Sequence, residues 1–232
     1  MPYFGYYDVT YLLVLIGAVI SMIASTKVKT TYAKYENVRN HGGMTAMEAA
    51  RCILDNAGLR HIRIERISGD LTDHYSPKEQ ILRLSDTTIH SNSIAAIGVA
   101  AHECGHAIQH AKKYAPLSIR NTIVPVANLG SQLSWPMILI GLIFGITGFL
   151  DLGILFFSFS LIFQLITLPV EFNASSRALQ ILDESNMLYE DELRGAKKVL
   201  SAAAMTYVAA AIATLLSLLR LIILFGGRRR ND

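Results

Sequence analysis

Ser93-Ile94-Ala95-Ala96-Ile97-Gly98-Val99-Ala100-Ala101-His102-Glu103-Cys104-Gly105-His106-Ala107-Ile108-Gln109-His110 is the stretch that decides how this chain is read. Its first half, Ile94 to Ala101, is apolar and small, as befits a buried helix. On such a helix His102 and His106 differ by about 40° in azimuth and roughly 6 Å in height, so two imidazoles can grip one metal from one face. Glu103 lies about 100° further round, too far to share the ion but well placed for a water bound to it. A zinc hydrolase needs that division of labour. The metal lowers the pKa of its water towards ~7, and a carboxylate takes the proton as the water attacks a carbonyl. The five-residue motif alone arises by chance in roughly one chain in a hundred of this length. Its context is more telling, because a partly buried His-Glu-His face is costly unless a metal compensates its polar groups.

His110 stands about 12 Å along the helix from His102 and cannot share its ion. Gln109 and Lys112 occupy the places where the His-x-x-Gly-x-x-His extension of another zinc protease class would continue. The third ligand must come from elsewhere. Pro169-Val170-Glu171-Phe172-Asn173-Ala174-Ser175 reads as a helix start with Pro near the first turn. Glu171 is the strongest candidate there, since a carboxylate from a second helix commonly completes two histidines. The competing reading of Glu171 is a helix N-terminal acid with no metal role. The two cysteines, Cys52 and Cys104, have no paired spacing that suggests a disulfide or a thiolate zinc site. Cys104 points away from the shared metal and reads as packing.

With 232 residues, 52% hydrophobic, and a positive mean hydropathy, the chain is too apolar for an ordinary soluble domain. A membrane protein is expected. Val9 to Ser25 is almost uninterrupted Leu, Ile, Val, Ala and Gly with no positive charge before it, which reads as an uncleaved membrane helix. Lys27, Lys29, Lys34 and Arg39 follow, placing the N-terminus outside and the next segment in the cytoplasm. Trp135 to Leu150 and Leu152 to Leu168 are two apolar spans broken only by Asp151, read as a hairpin through the bilayer. Asp183 to Lys198 is polar. Ala202 to Phe225 is the last span, interrupted by Arg220, which is close enough to its end to snorkel. Four spans put the arginines after Gly227 outside, against the positive-inside rule, although the cytoplasmic segments still carry more Lys and Arg.

The block from about Thr26 to Asn128 is polar enough, and long enough, for a small α+β domain. Thr45-Ala46-Met47-Glu48 is a capping box opening a helix through Asn56, with Gly58 as its stop. His61 to Ile67 alternates as a half-buried strand does, Ser68-Gly69-Asp70 is a turn, and Gln80 to Ser85 is a second strand. As an exposed edge, that second strand could take up an extended peptide through backbone hydrogen bonds; the alternative is a strand covered by its neighbours.

Along essentially its whole length the chain resembles the neutral zinc metallopeptidases of the YugP type, prokaryotic membrane proteins. The matching segments are Gly69 to Pro77, Leu82 to Ser85, Ser93 to Gln109 and Pro169 to Ser175. That family in turn looks like the membrane-bound gluzincins, in which a strand, a His-Glu-x-x-His helix and a later Glu-x-x-x-Asp helix build the site. The resemblance implies Zn2+ held by His102, His106 and Glu171, with Glu103 as general base. The departure is Ser175, where the wider group has an aspartate that orients a ligand histidine. For the oxyanion, His74, Tyr75 and Arg177 are the eligible residues, with turn capping and surface pairing as competing roles.

The expected architecture is therefore α+β and mostly helical, a multi-pass membrane protein with a small zincin-like catalytic domain. An N-terminal transmembrane helix covers 1–26, the catalytic domain 27–128 and a transmembrane hairpin 129–168. A helical segment with the third ligand covers 169–201, and a C-terminal transmembrane helix with a basic tail covers 202–232. The expected activity is zinc-dependent endopeptidase, in the cell membrane with its active site on the cytoplasmic side. Its partners are a protein or peptide substrate and the lipid bilayer; nucleic acid is not expected. Intramembrane proteolysis would need the motif inside a span of about 20 apolar residues, and Asn92, Ser93, Gln109, Lys112 and Lys113 leave too little. A non-catalytic zinc-binding membrane scaffold is the alternative from another class, which Glu103 disfavours because a structural site has no use for it.

Overall fold

The structure, a computed structural model, describes residues 8–226. It is mostly helical with one small sheet, and it divides into two compact units.

One unit comprises 25–118 and 168–205. Helix α2 (Ala46–Asn56) opens on the capping box read from sequence: the Thr45 side chain accepts from Glu48 N–H, and the Glu48 carboxylate accepts from Thr45 N–H. The chain leaves this helix through Gly58, whose φ of +75° a side chain would resist. Strand β1 (Arg63–Ile67) follows, then β2 (His74–Ser76) and β3 (Ile81–Ser85). The sheet order is β1-β3-β2, with β3 parallel to β1 and antiparallel to β2.

This order decides between the two readings of the second strand. The Gln80–Ser85 segment is the central strand, flanked on both sides, so it cannot take up a peptide along its edge. Its burial agrees: Ile81, Leu82, Leu84 and Ser85 are all buried, whereas an exposed edge would alternate. The edges lie at β1 and at β2, the latter a strand of three residues that no run of alternation announces.

Helix α3 (Ile94–Ala111) carries the quoted stretch, with the Ser93 side chain accepting from Ala96 N–H at its start. It is sunk into the core, where Ala96, Ile97, Ala100, Ala101 and Cys104 meet Ala50 and Ile53 of α2, and Leu82 and Leu84 of β3. Ala178, Leu182, Ala196 and Leu200, from two later helices, close the same core. Cys104 is fully buried and its thiol donates to the Ala50 carbonyl at 3.6 Å, the packing role expected of it.

The other unit comprises the apolar parts of four long helices: α1 (Tyr11–Glu36), α4 (Ala115–Phe144), α5 (Thr147–Glu184) and α6 (Glu190–Phe225). All four are long and apolar enough to cross a membrane. Three boundaries differ from the sequence reading. Helix α4 begins at Ala115, with Pro116 in its first turn, where a missing N–H costs little. The turn between α4 and α5 falls at Gly145, whose φ is +69°, and not at Asp151, an acid accommodated near the start of α5. Pro169 lies well inside α5 and does not start a helix, so the third candidate ligand sits on the continuation of a span. Arg220 also departs from expectation. It pairs with Asp8 at 3.0 Å and lies 4.0 Å from the centre of the Tyr11 ring, so its charge is met within the protein. The tail Gly227 to Asp232, with its arginines, lies outside the described residues.

Candidate metal centre

His102 and His106 project from the same face of α3, their ring centres 4.7 Å apart and their planes nearly perpendicular. Glu171 of α5 enters between them, its Oε2 at 3.3 Å from His102 Nε2 and 3.5 Å from His106 Nε2. One ligand atom from each of the three lies within 4.8 Å of the others. Donors held at about 2.0–2.1 Å around a tetrahedral zinc ion stand ~3.3 Å apart, so the carboxylate-to-imidazole spacings are those of ligands to one ion. Two imidazoles and a carboxylate are also a donor set that zinc accepts while keeping a position for water.

The two helices reach this spacing because Gly105 has no side chain. A Cβ there would lie 2.6 Å from the Ala174 carbonyl oxygen and 3.2 Å from its Cα. The bare backbone of α3 thus presses on α5 one turn beyond Glu171.

Both imidazoles are oriented from behind. His102 Nδ1 lies 3.0 Å from Ser175 Oγ, so the serine reaches this ring. His106 Nδ1 lies 3.0 Å from Gln109 Oε1. The Gln109 amide nitrogen donates to the Val170 carbonyl at 2.8 Å and to Asn173 Oδ1 at 3.0 Å. A carbonyl only accepts, so the NH2 of Gln109 must face Val170 and its oxygen must face His106. His106 therefore carries its proton on Nδ1 and turns the lone pair of Nε2 towards Glu171 and His102. The sequence reading assigns Gln109 no part in orienting the histidines. Its position three residues after His106, on the same helical face, is the signal that could have found it.

Glu103 is half-buried beside this triad, and its Oε2 accepts the Tyr75 backbone N–H at 3.0 Å. Burial pushes its carboxyl above the ordinary carboxylate range, against the opposing charge of His102 and His106. Burial also works to raise Glu171, but hydrogen bonds from the two histidines outweigh it and hold that group below its ordinary value. Glu171 is thus the ionised partner and Glu103 the carboxyl with the higher proton affinity, which suits them to different tasks.

The three residues considered for the oxyanion are each engaged elsewhere. His74 Nδ1 meets the Thr72 carbonyl at 2.9 Å. The Tyr75 hydroxyl meets His110 Nδ1 at 2.9 Å, which gives His110 a partner apart from the triad. Arg177 donates from Nε to Asn173 Oδ1 at 2.7 Å.

The chain is 46% identical over 213 residues to "Putative membrane protease YugP" of Bacillus subtilis (strain 168), an alignment spanning 91% of this chain and 95% of that protein. No solved structure matches it. Residues 10–226 match the family described as "Putative neutral zinc metallopeptidase", so the chain that sets His102, His106 and Glu171 around one point belongs to that zinc metallopeptidase family.

Proposed function

We propose that this protein is a membrane-embedded zinc endopeptidase in which His102, His106 and Glu171 hold the metal and Glu103 is the general base. The observation that carries the reading is the convergence of two Nε2 atoms and one carboxylate oxygen, with both Nδ1 atoms engaged behind them and a half-buried carboxylate alongside. A zinc ion there supplies Lewis-acid activation of a water and of the scissile carbonyl. Tyr75 N–H fixes Oε2 of Glu103, leaving Oε1 to receive the proton of the attacking water. As the C–N bond breaks, Glu103 passes that proton to the departing amine nitrogen, and a carboxylate and an amine leave.

The substrate lies extended along β2, the sheet edge next to Glu103, held through backbone groups with little demand on side chains. Glu171 follows the apolar stretch of α5 by three residues, which supports a site at the membrane surface. Exposed or unfolded stretches of membrane proteins are then the substrates. A proteome in which only soluble, folded proteins accumulate after loss of the enzyme would contradict that class. The excess of Lys and Arg in the segments flanking the spans on this side supports a cytoplasmic site. A purely structural zinc site is disfavoured by Glu103, a half-buried carboxylate beside the ligands that such a site would not use.

The decisive experiment compares the detergent-purified wild type with Glu103→Gln on a loosely folded protein substrate, with zinc content measured on both. Both should hold one zinc, and the variant should cleave at least 100-fold more slowly. Equal cleavage by the variant would remove Glu103 from the mechanism. Equal zinc loading with no cleavage by either protein would favour the scaffold reading.

A further inference from the structure

Helices α1 and α6 border a groove of about 770 Å³ on the unit that carries the metal centre. Lys27 and Lys34 of α1 and Arg194, Lys197 and Lys198 of α6 line it. None of the described residues lining it is acidic. Among these five cations Arg194 alone meets a carboxylate, Glu190 at 2.5 Å. Thr30, Thr31 and Ser201 add hydroxyls, and Tyr35, Ala202 and Met205 give part of the wall an apolar surface. At Gly195 the two helices touch closely: a Cβ there would lie 2.8 Å from the Tyr35 ring.

The position of these charges along each helix matters as much as their number. In α1 the apolar run ends at Ser25, two residues before Lys27, and in α6 the apolar run begins at Ala202, four residues after Lys198. Both helices thus change from lipid-compatible to cationic at the groove, where a bilayer presents its phosphates. Four cations with no carboxylate partner among the described residues, hydroxyl donors and an adjoining apolar wall match one molecule, with a phosphodiester at one end and acyl chains at the other. We propose that this groove binds the headgroup of an anionic phospholipid. The lipid phosphate sits among Lys27, Lys197 and Lys198, and an acyl chain runs against Ala202 and Met205.

The test uses the full-length protein, delipidated in detergent and titrated with palmitoyl-oleoyl phosphatidylglycerol, or with phosphatidylcholine of the same chains, under native mass spectrometry. One phosphatidylglycerol should be retained at least tenfold over phosphatidylcholine. That preference should fall to within twofold in Lys27→Gln/Lys197→Gln/Lys198→Gln, since each lysine near an anionic lipid is worth about a factor of five. The variant Lys78→Gln/Lys112→Gln/Lys113→Gln, with the same loss of charge away from the groove, should keep it. Should the groove variant fail to fold, Lys197→Glu alone is read the same way, with a loss of about fivefold or more expected. Inorganic phosphate at about 10 mM should leave the lipid bound. Equal retention of the two lipids, an equal loss in the control variant, or displacement by inorganic phosphate would each overturn the proposal. The last result would assign the groove to a free anion.

Discussion

The side-chain amide of Gln109 can face His106 in one orientation only, because Val170 presents a carbonyl that accepts and never donates. Ser175 has a looser hold on His102, since a hydroxyl can rotate to donate or accept. Ser175→Ala should therefore weaken zinc binding by about 10- to 100-fold in a chelator competition, and Ser175→Asp should bind zinc at least as tightly as the wild type. The cysteines separate on burial alone. Burial pushes the Cys104 thiol well above its ordinary value, while Cys52 is partly exposed. Maleimide applied to the native protein should label Cys52 and leave Cys104 unmodified by mass spectrometry, with both labelled after denaturation. The shared face of His102 and His106, with Glu103 beside it, is legible from spacing because one turn of helix relates them. The approach of Glu171 is legible because a carboxylate from a second helix commonly completes two histidines. Gln109 and the Tyr75 amide are not, because one role is set by a carbonyl 61 residues away and the other belongs to a backbone atom with no signature in residue type.

Helix α3 lies against α5 through a position with no side chain, and this contact sets how far Glu171 can reach. Gly105→Ala would improve the intrinsic helix propensity of α3 by about 1 kcal/mol. It would also drive a methyl into the Ala174 carbonyl, so the helices must separate by several tenths of an ångström or more. Zinc affinity should fall more than tenfold while every ligand remains in the sequence. An unchanged zinc Kd in the same chelator competition would show that the helix contact does not govern the site. Capping boxes and long apolar runs made most elements readable, as α2 and the four long helices illustrate. Strand β2 was missed because three residues are too few to show alternation, and β3 was taken for a candidate edge because sequence order does not give sheet order. Pro169 misled because a proline inside a membrane helix looks, in sequence, like one that begins a helix.

At the scale of the whole molecule, the pair Asp8 and Arg220 joins residues 212 apart in the chain. Removing either charge alone leaves the other without its counterion in apolar surroundings, whereas removing both leaves none. Asp8→Asn and Arg220→Leu should each lower the melting temperature in detergent, and the double variant should fall by less than the sum of the two single effects. A fall equal to the sum of the single effects would show the pair to be uncoupled. Fold class and the number of apolar helices were readable because composition and length govern them; this pairing was not, because hydropathy records a charge but not its partner. The Gln109 network also bears on how the candidate metal centre comes into being. A ribosome delivers His102, Glu103 and His106 well before Val170 and Glu171, so a nascent chain holds the bait for zinc without the carboxylate or the carbonyl that sets the His106 tautomer. The three-residue cluster therefore cannot close until α5 has docked on α3, and a chain truncated before that helix would lack the carboxylate and the orienting carbonyl together.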